Sequence, residues 1–244
     1  MGTVITVTSG KGGTGKTSIT GAVAASLSLM DRTVLCIDMD IGLRNLDISL
    51  GLNDRALMDF SDVALGRCPL ARAVVPHPTL KGLSLLTSPM SLPASLTPEK
   101  IRALLDTARG MYDYILIDSP AGLGAGFRLA ICGADRAVVV ATNDASSLRD
   151  AQRTVSELDH MRQVHLVMNR IQTKLLRRLR ATIDDAMDAA GLPLIGVVPE
   201  DPYVILCANL GQPLTDRGKR GAALACWNIA RRLEGQRVPI MRIR

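Results

Sequence analysis

Aromatic side chains are scarce in this 244-residue chain, which has one Trp, three Tyr and two Phe. A nucleic-acid surface built by stacking bases on aromatic rings is therefore not expected. No run approaches the roughly 18–20 consecutive apolar residues that a bilayer-spanning helix needs. The N-terminus has no charged segment leading into an apolar one, so a secretory signal is not expected either. Met1-Gly2-Thr3-Val4-Ile5-Thr6 fits a myristoylation pattern, but one so loose that it reads better as the lead into a strand. The five cysteines are odd in number and contain no C-x-x-C pair. That pattern suits reduced thiols and argues against structural zinc or an iron–sulfur cluster.

What is present is a globular composition, 47% hydrophobic and 21% charged, with a net charge of +6. The charge is uneven. Residues 217–244 hold eight Lys/Arg and one acid, while the other 216 residues are nearly balanced. The basic excess belongs to the C-terminal end.

Short, mostly β-branched apolar runs at 3–8, 33–37, 83–87, 114–117, 137–141, 165–168 and 194–198 predict strands covered on both faces. Helical periodicity predicts helices at 17–30, 98–108, 146–160, 173–190 and 221–233. In the fourth of these, Leu176, Leu179, Ile183, Met187 and Ala190 form the expected inward face. Strand and helix alternating with short links give an α/β fold, a doubly wound, mostly parallel sheet. With no repeat and no break in composition, one domain is expected over 1–235, followed by a short basic tail over 236–244.

The most informative segment is Ser9-Gly10-Lys11-Gly12-Gly13-Thr14-Gly15-Lys16-Thr17-Ser18, which satisfies G-x-x-x-x-G-K-[ST] between an expected strand and an expected helix. Gly12, Gly13, Thr14, Gly15 and Ser18 would turn backbone N–H groups onto phosphate oxygens, helped by the helix dipole. Lys16 would reach the β- and γ-phosphates, and the Thr17 hydroxyl would ligate Mg2+.

Lys11 adds a second lysine and makes the loop K-G-G-x-G-K-T. Here the sequence resembles the ParA/MinD superfamily of deviant Walker A P-loop ATPases. The resemblance implies ATP as the nucleotide and a dimer in which Lys11 crosses to the partner's phosphates.

After the second strand come Asp38 and Asp40, which share one side of an extended chain. Either they are turn carboxylates, or Asp40 orients the attacking water while Asp38 supports the hydrated metal. The following Gly42-Leu43-Arg44-Asn45-Leu46-Asp47 resembles the first switch of the MinD family. Tyr114-Ile115-Leu116-Ile117-Asp118 is a Walker B pattern, with Asp118 holding Mg2+ directly or through water. In Ser119-Pro120-Ala121-Gly122, Gly122 would present an N–H to the γ-phosphate. Two strand ends, Asn169 and then Pro199-Glu200-Asp201, match the family's adenine and ribose contacts, although ordinary turns read equally well from the residues alone.

The resemblance spans nearly the whole chain and implies division-site placement. An ATP-dependent homodimer would recruit the division inhibitor MinC, a second partner would stimulate hydrolysis, and Arg44 and Asp150 would lie on the partner-binding face. It also implies a cytoplasmic protein with a peripheral state on the inner face of the cell membrane. Only nine residues follow Gly235, fewer than the ~12–15 of a marginally stable isolated helix. The tail is either a frayed end or a minimal anchor, with Ile240, Met241 and Ile243 inserted and Arg242 and Arg244 on anionic headgroups. The cluster Arg170, Lys174, Arg177, Arg178 and Arg180, of which Lys174, Arg177, Arg178 and Ala181 would share one outward helix face, leaves a ParA-like DNA-binding or cargo-positioning ATPase, or a flagellar-number regulator, as the alternative.

Overall fold

The computed structural model describes every residue except Asp54, Ala181, Arg242 and Arg244. Two expectations fall partly on those positions, the arginine contacts of the tail and the outward face of the basic helix at Ala181.

The elements in chain order are β1 (Thr3–Thr8), α1 (Lys16–Ser28), β2 (Val34–Asp38), α2 (Leu46–Leu50), α3 (Phe60–Ala64), α4 (Leu70–Ala73), β3 (Val75–Pro76) and β4 (Leu83–Leu86). They continue with α5 (Pro98–Arg109), β5 (Tyr114–Asp118), α6 (Ala125–Ile131), β6 (Arg136–Ala141), α7 (Ala145–Ser156) and β7 (Gln163–Ile171). The last are α8 (Thr173–Leu179), α9 (Ile183–Ala190), β8 (Leu194–Pro199), α10 (Pro202–Asn209), a 3-10 turn (Leu214–Arg217) and α11 (Gly221–Leu233).

The strands form one eight-stranded sheet in the order β3-β4-β2-β5-β1-β6-β7-β8. Every pairing is parallel except the two-residue β3 against β4. Because successive side chains point to opposite faces, each apolar strand feeds two cores. Ile5 and Val7 pack with α1 and α11, whereas Val4, Ile115 and Ile117 pack with α5. Val139, Leu166 and Met168 complete the second layer against α7 and α9. Full burial of one such side chain contributes roughly 1.5–3 kcal/mol.

Helix α1 is buried almost all round, which explains its lack of an amphipathic stripe. Its Gly21 admits α2 so closely that a Cβ there would meet the Ser49 hydroxyl at 2.6 Å. Strand β1 sits where the chain turns from one half of the sheet to the other, between β5 and β6. Ligands of open α/β sheets bind beyond the strand ends at such a point.

The single helix expected over 173–190 is two helices. Arg180 adopts the left-handed conformation (φ 52°) and ends α8, and Thr182 with Asp185 forms a capping box that starts α9. Leu179 consequently does not face inward but is 56% exposed. The tail folds back. Arg232 donates to the carbonyls of Val238 and Pro239, and Met241 and Ile243 pack against the cores, leaving Ile240 exposed. Among the described residues no helix is long and apolar enough to cross a membrane.

Candidate nucleotide site

The residues from 9 to 15 form a loop between β1 and α1, and two of its glycines are dictated by space. A Cβ on Gly10 would lie 2.3 Å from the Asp150 carbonyl of α7. Gly15 has φ 88°, and a Cβ there would meet the Asn169 amide nitrogen at 2.3 Å. Gly15→Ala should therefore lower unfolding stability by about 2–3 kcal/mol, from left-handed strain and the displaced Asn169 amide together. Urea unfolding measures this, and an unchanged midpoint would refute the packing described here.

Lys16 is buried, and its ammonium donates to the Ser9 hydroxyl at 3.0 Å. Burial lowers its pKa against the opposing charges of Asp118 and Asp40. The Thr17 hydroxyl donates to Asp118 at 2.6 Å, and Thr20 donates to the other carboxylate oxygen at 3.3 Å. Burial, with the charge of Asp38 beside it, raises the Asp118 carboxyl to about 7. Asp38 is raised by burial to about 6, although its oxygens accept the N–H groups of Asp40 (2.8 Å) and Leu46 (3.2 Å). In this structure Asp38 thus braces the turn that carries Asp40.

Asp40 is half-buried, and no described residue donates to its carboxylate. It shares a hollow of about 440 Å3 with Gly12, Gly13, Lys16, Thr17 and Ala121. The next residue, Gly122, turns at φ 79° with open space where a Cβ would stand. Phosphate and Mg2+ fit this donor set. The loop leaves an open concavity, the Thr14 hydroxyl is buried without a partner, and three acids crowd one buried cation. Among the described residues no three acids, His or Cys close into a metal cage.

A narrower hollow of about 170 Å3 brings Asn169, Pro199, Glu200 and Asp201 beside Gly15 and Ser18. Here the sequence reasoning was incomplete. Asn169 gives an N–H to the Thr14 carbonyl at 2.8 Å, bracing the loop, and Glu200 is paired with Arg170 at 2.9 Å. Asp201 caps α10 and accepts the Ala222 N–H, so it ties α10 to α11. Each keeps a place in the wall of the hollow while spending hydrogen bonds on the fold.

Lys11 is exposed at the rim, 3.2 Å from Asp144 and 2.8 Å from the Ser146 hydroxyl. Asp144 also caps α7. Against the effect of burial, hydrogen bonds from Ser146, Thr142, Ser147 and Lys11 hold its carboxyl well below the usual range. Ser9 and Asp144 had no role in the sequence reading, and Arg170 figured there only as part of the basic cluster. An Asp placed three residues before a helical Ser is an N-cap signature that points to Asp144. Ser9 meets Lys16 through the curl of the loop itself, whereas Arg170 reaches the loop only because the sheet brings the end of β7 beside it.

Comparison with known proteins agrees with this geometry. The family model for the CobQ/CobB/MinD/ParA nucleotide binding domain matches residues 5–222. Over 246 residues the chain is 37% identical to the septum site-determining protein MinD of Synechocystis sp., covering 99% of this chain and 92% of that protein. A chain of the MinC:MinD cell division protein complex of Aquifex aeolicus superposes with TM-score 0.92 at 37% identity, covering 98% of both chains. MinD of Pyrococcus horikoshii, solved with Mg-ADP, gives TM-score 0.83 at 28% identity over 96% of both chains. The chain belongs to the MinD family of P-loop nucleotide-binding ATPases.

Proposed function

We propose that this ATPase is a nucleotide-driven switch that helps place the bacterial division site, dimerising with ATP and recruiting a division inhibitor of the MinC type. The observation that carries the reading is the convergence of Lys16, Thr17 and Asp118 with an unengaged Asp40 on one hollow at the C-terminal ends of β1, β2 and β5.

The loop amides and Lys16 bind the β- and γ-phosphates, and the low dielectric around Lys16 strengthens that contact. Thr17, Asp118 and Asp38 are the residues that would hold Mg2+, which when bound neutralises charge between the phosphates. Asp40 orients the attacking water, and the Gly122 N–H registers the γ-phosphate. Lys11 completes the partner's site by leaving Asp144 and Ser146. That exposed ion pair is worth about 1 kcal/mol or less, so the exchange costs little. Leu43, Ile48 and Ile205 remain exposed around the same mouth, apolar surface for a second copy to cover.

Asp150 on α7 is the cleaner probe of inhibitor docking. Among the described residues its carboxylate makes only a 3.8 Å ion pair with Arg153, whereas Arg44 is tied by its Nε to the Ser88 carbonyl at 2.7 Å. With Mg-ATP, Asp150→Lys should weaken binding of purified MinC at least about tenfold, the scale of a lost interfacial charge contact. Undiminished binding would move the docking surface elsewhere. Membrane attachment through the tail would require Met241 and Ile243 to leave their present packing, and a second partner would accelerate hydrolysis.

A further inference from the structure

A second polar hollow lies at the opposite end of the sheet. A cleft of about 790 Å3 opens beneath the first residues of β1, β5, β6, β7 and β8, walled by the C-terminal end of α11. At ~3.3 Å per residue, six-residue β1 separates it from the phosphate loop by roughly 20 Å.

Its two acids are already engaged. Asp113 accepts the N–H and the hydroxyl of Thr33, both at 2.8 Å. Glu234 accepts two bonds from Arg32, at 2.6 and 2.9 Å. Three further guanidiniums line the cleft, those of Arg136, Arg162 and Arg232, and none has a carboxylate partner among the described residues. Arg232 spends its donors on the carbonyls of Ile195, Val238 and Pro239. Arg136 gives one N–H to the Leu233 carbonyl and keeps the rest, while Arg162 is exposed. In the same wall, His165 has its Nδ1 buried without a hydrogen-bond partner. Burial, then the charge of Arg136, holds that imidazole's pKa below the ordinary value.

Like charges converging on one concavity repel, and an anion bound between them offsets that cost. A monocarboxylate would leave most of the charge unmet. A phosphate group carries close to two charges near neutral pH and presents the oxygens that a guanidinium fork pairs with bidentately.

We propose that this cleft binds a phosphate-bearing anion, with Arg136 and Arg162 as its forks and Arg232 as fixed background charge. The chemistry is shared by soluble polyphosphates and phospholipid headgroups, and the test has an arm for each. Pyrophosphate is titrated calorimetrically, without Mg2+, into Lys16→Ala protein, whose phosphate loop is disabled, and into the same protein carrying Arg162→Glu. Vesicles containing phosphatidic acid, a phosphomonoester lipid, are sedimented with both proteins, and phosphatidylcholine vesicles serve as the neutral control.

Arg162 is exposed and makes no ion pair among the described residues, so its replacement leaves the fold intact, which matching melting temperatures would verify. The expected result is saturable binding of pyrophosphate or of phosphatidic acid vesicles, weakened at least tenfold by Arg162→Glu and by Arg136→Ala. Pyrophosphate binding assigns a soluble ligand, and vesicle binding alone assigns a headgroup. Binding of neither probe, or binding indifferent to Arg162, overturns the proposal. Because the readout is dependence on Arg162, neither outcome turns on the nucleotide reading of the phosphate loop.

Discussion

Lys16→Ala should weaken ATP binding by roughly a hundredfold to ten-thousandfold while leaving the fold intact. The ammonium is buried, makes one hydrogen bond, to Ser9, and has its pKa lowered by the cost of burial. A cation held in that condition without its ligand is poised for phosphate. Charge-assisted hydrogen bonds contribute ~1.5–3 kcal/mol each. Losing contacts to two phosphates thus amounts to about 3–6 kcal/mol, and each 1.4 kcal/mol is a factor of ten. Equilibrium binding of a fluorescent ATP analogue measures this, and melting without nucleotide separates lost binding from unfolding. Affinity within threefold of the parent protein would refute the phosphate-loop assignment.

Asp40→Ala should have the complementary effect, with hydrolysis falling about 10²–10⁴-fold and ATP affinity nearly unchanged. Its carboxylate receives no hydrogen bond from the described residues, so truncation leaves no orphaned donor behind. Burial raises its pKa, and Lys16 opposes the rise. A loss confined to turnover is the signature of a contact made in the transition state alone. Phosphate release in single-turnover assays is the readout, and a variant that still turns over normally would transfer the catalytic role to another residue. Asp38 is a poor probe of the same idea. It holds the N–H groups of Asp40 and Leu46, so its removal would disorder the turn as well as the chemistry.

Much of this was legible in the chain. Strands such as 3–8 and 114–117 are apolar on both faces, and only burial between two helical layers makes that pattern soluble. The phosphate loop announced itself because its glycines are needed for geometry that no other residue supplies, as Gly10 against Asp150 and Gly15 against Asn169 demonstrate. The elements between 46 and 76 were not legible. Helices of four or five residues carry too few periods to be seen, and tertiary contacts hold them, such as Leu46 and Leu50 beneath α1. The break between α8 and α9 was hidden by continuous helical periodicity, although Thr182 and Asp185 held the capping signal. Asn169, Glu200 and Asp201, expected as adenine and ribose contacts, line the narrow hollow together. Their bonds to Thr14, Arg170 and Ala222 were invisible, because each spans 21 residues or more of sequence.

The account centres on a switch that closes with ATP and opens with ADP. Sedimentation velocity of the Asp40→Ala protein, which should hold ATP without consuming it, tests this most directly. The predicted result is a dimer with Mg-ATP and a monomer with Mg-ADP, with Lys11→Ala added to the same protein returning it to monomer in both. The same association state in the two nucleotides would contradict the account.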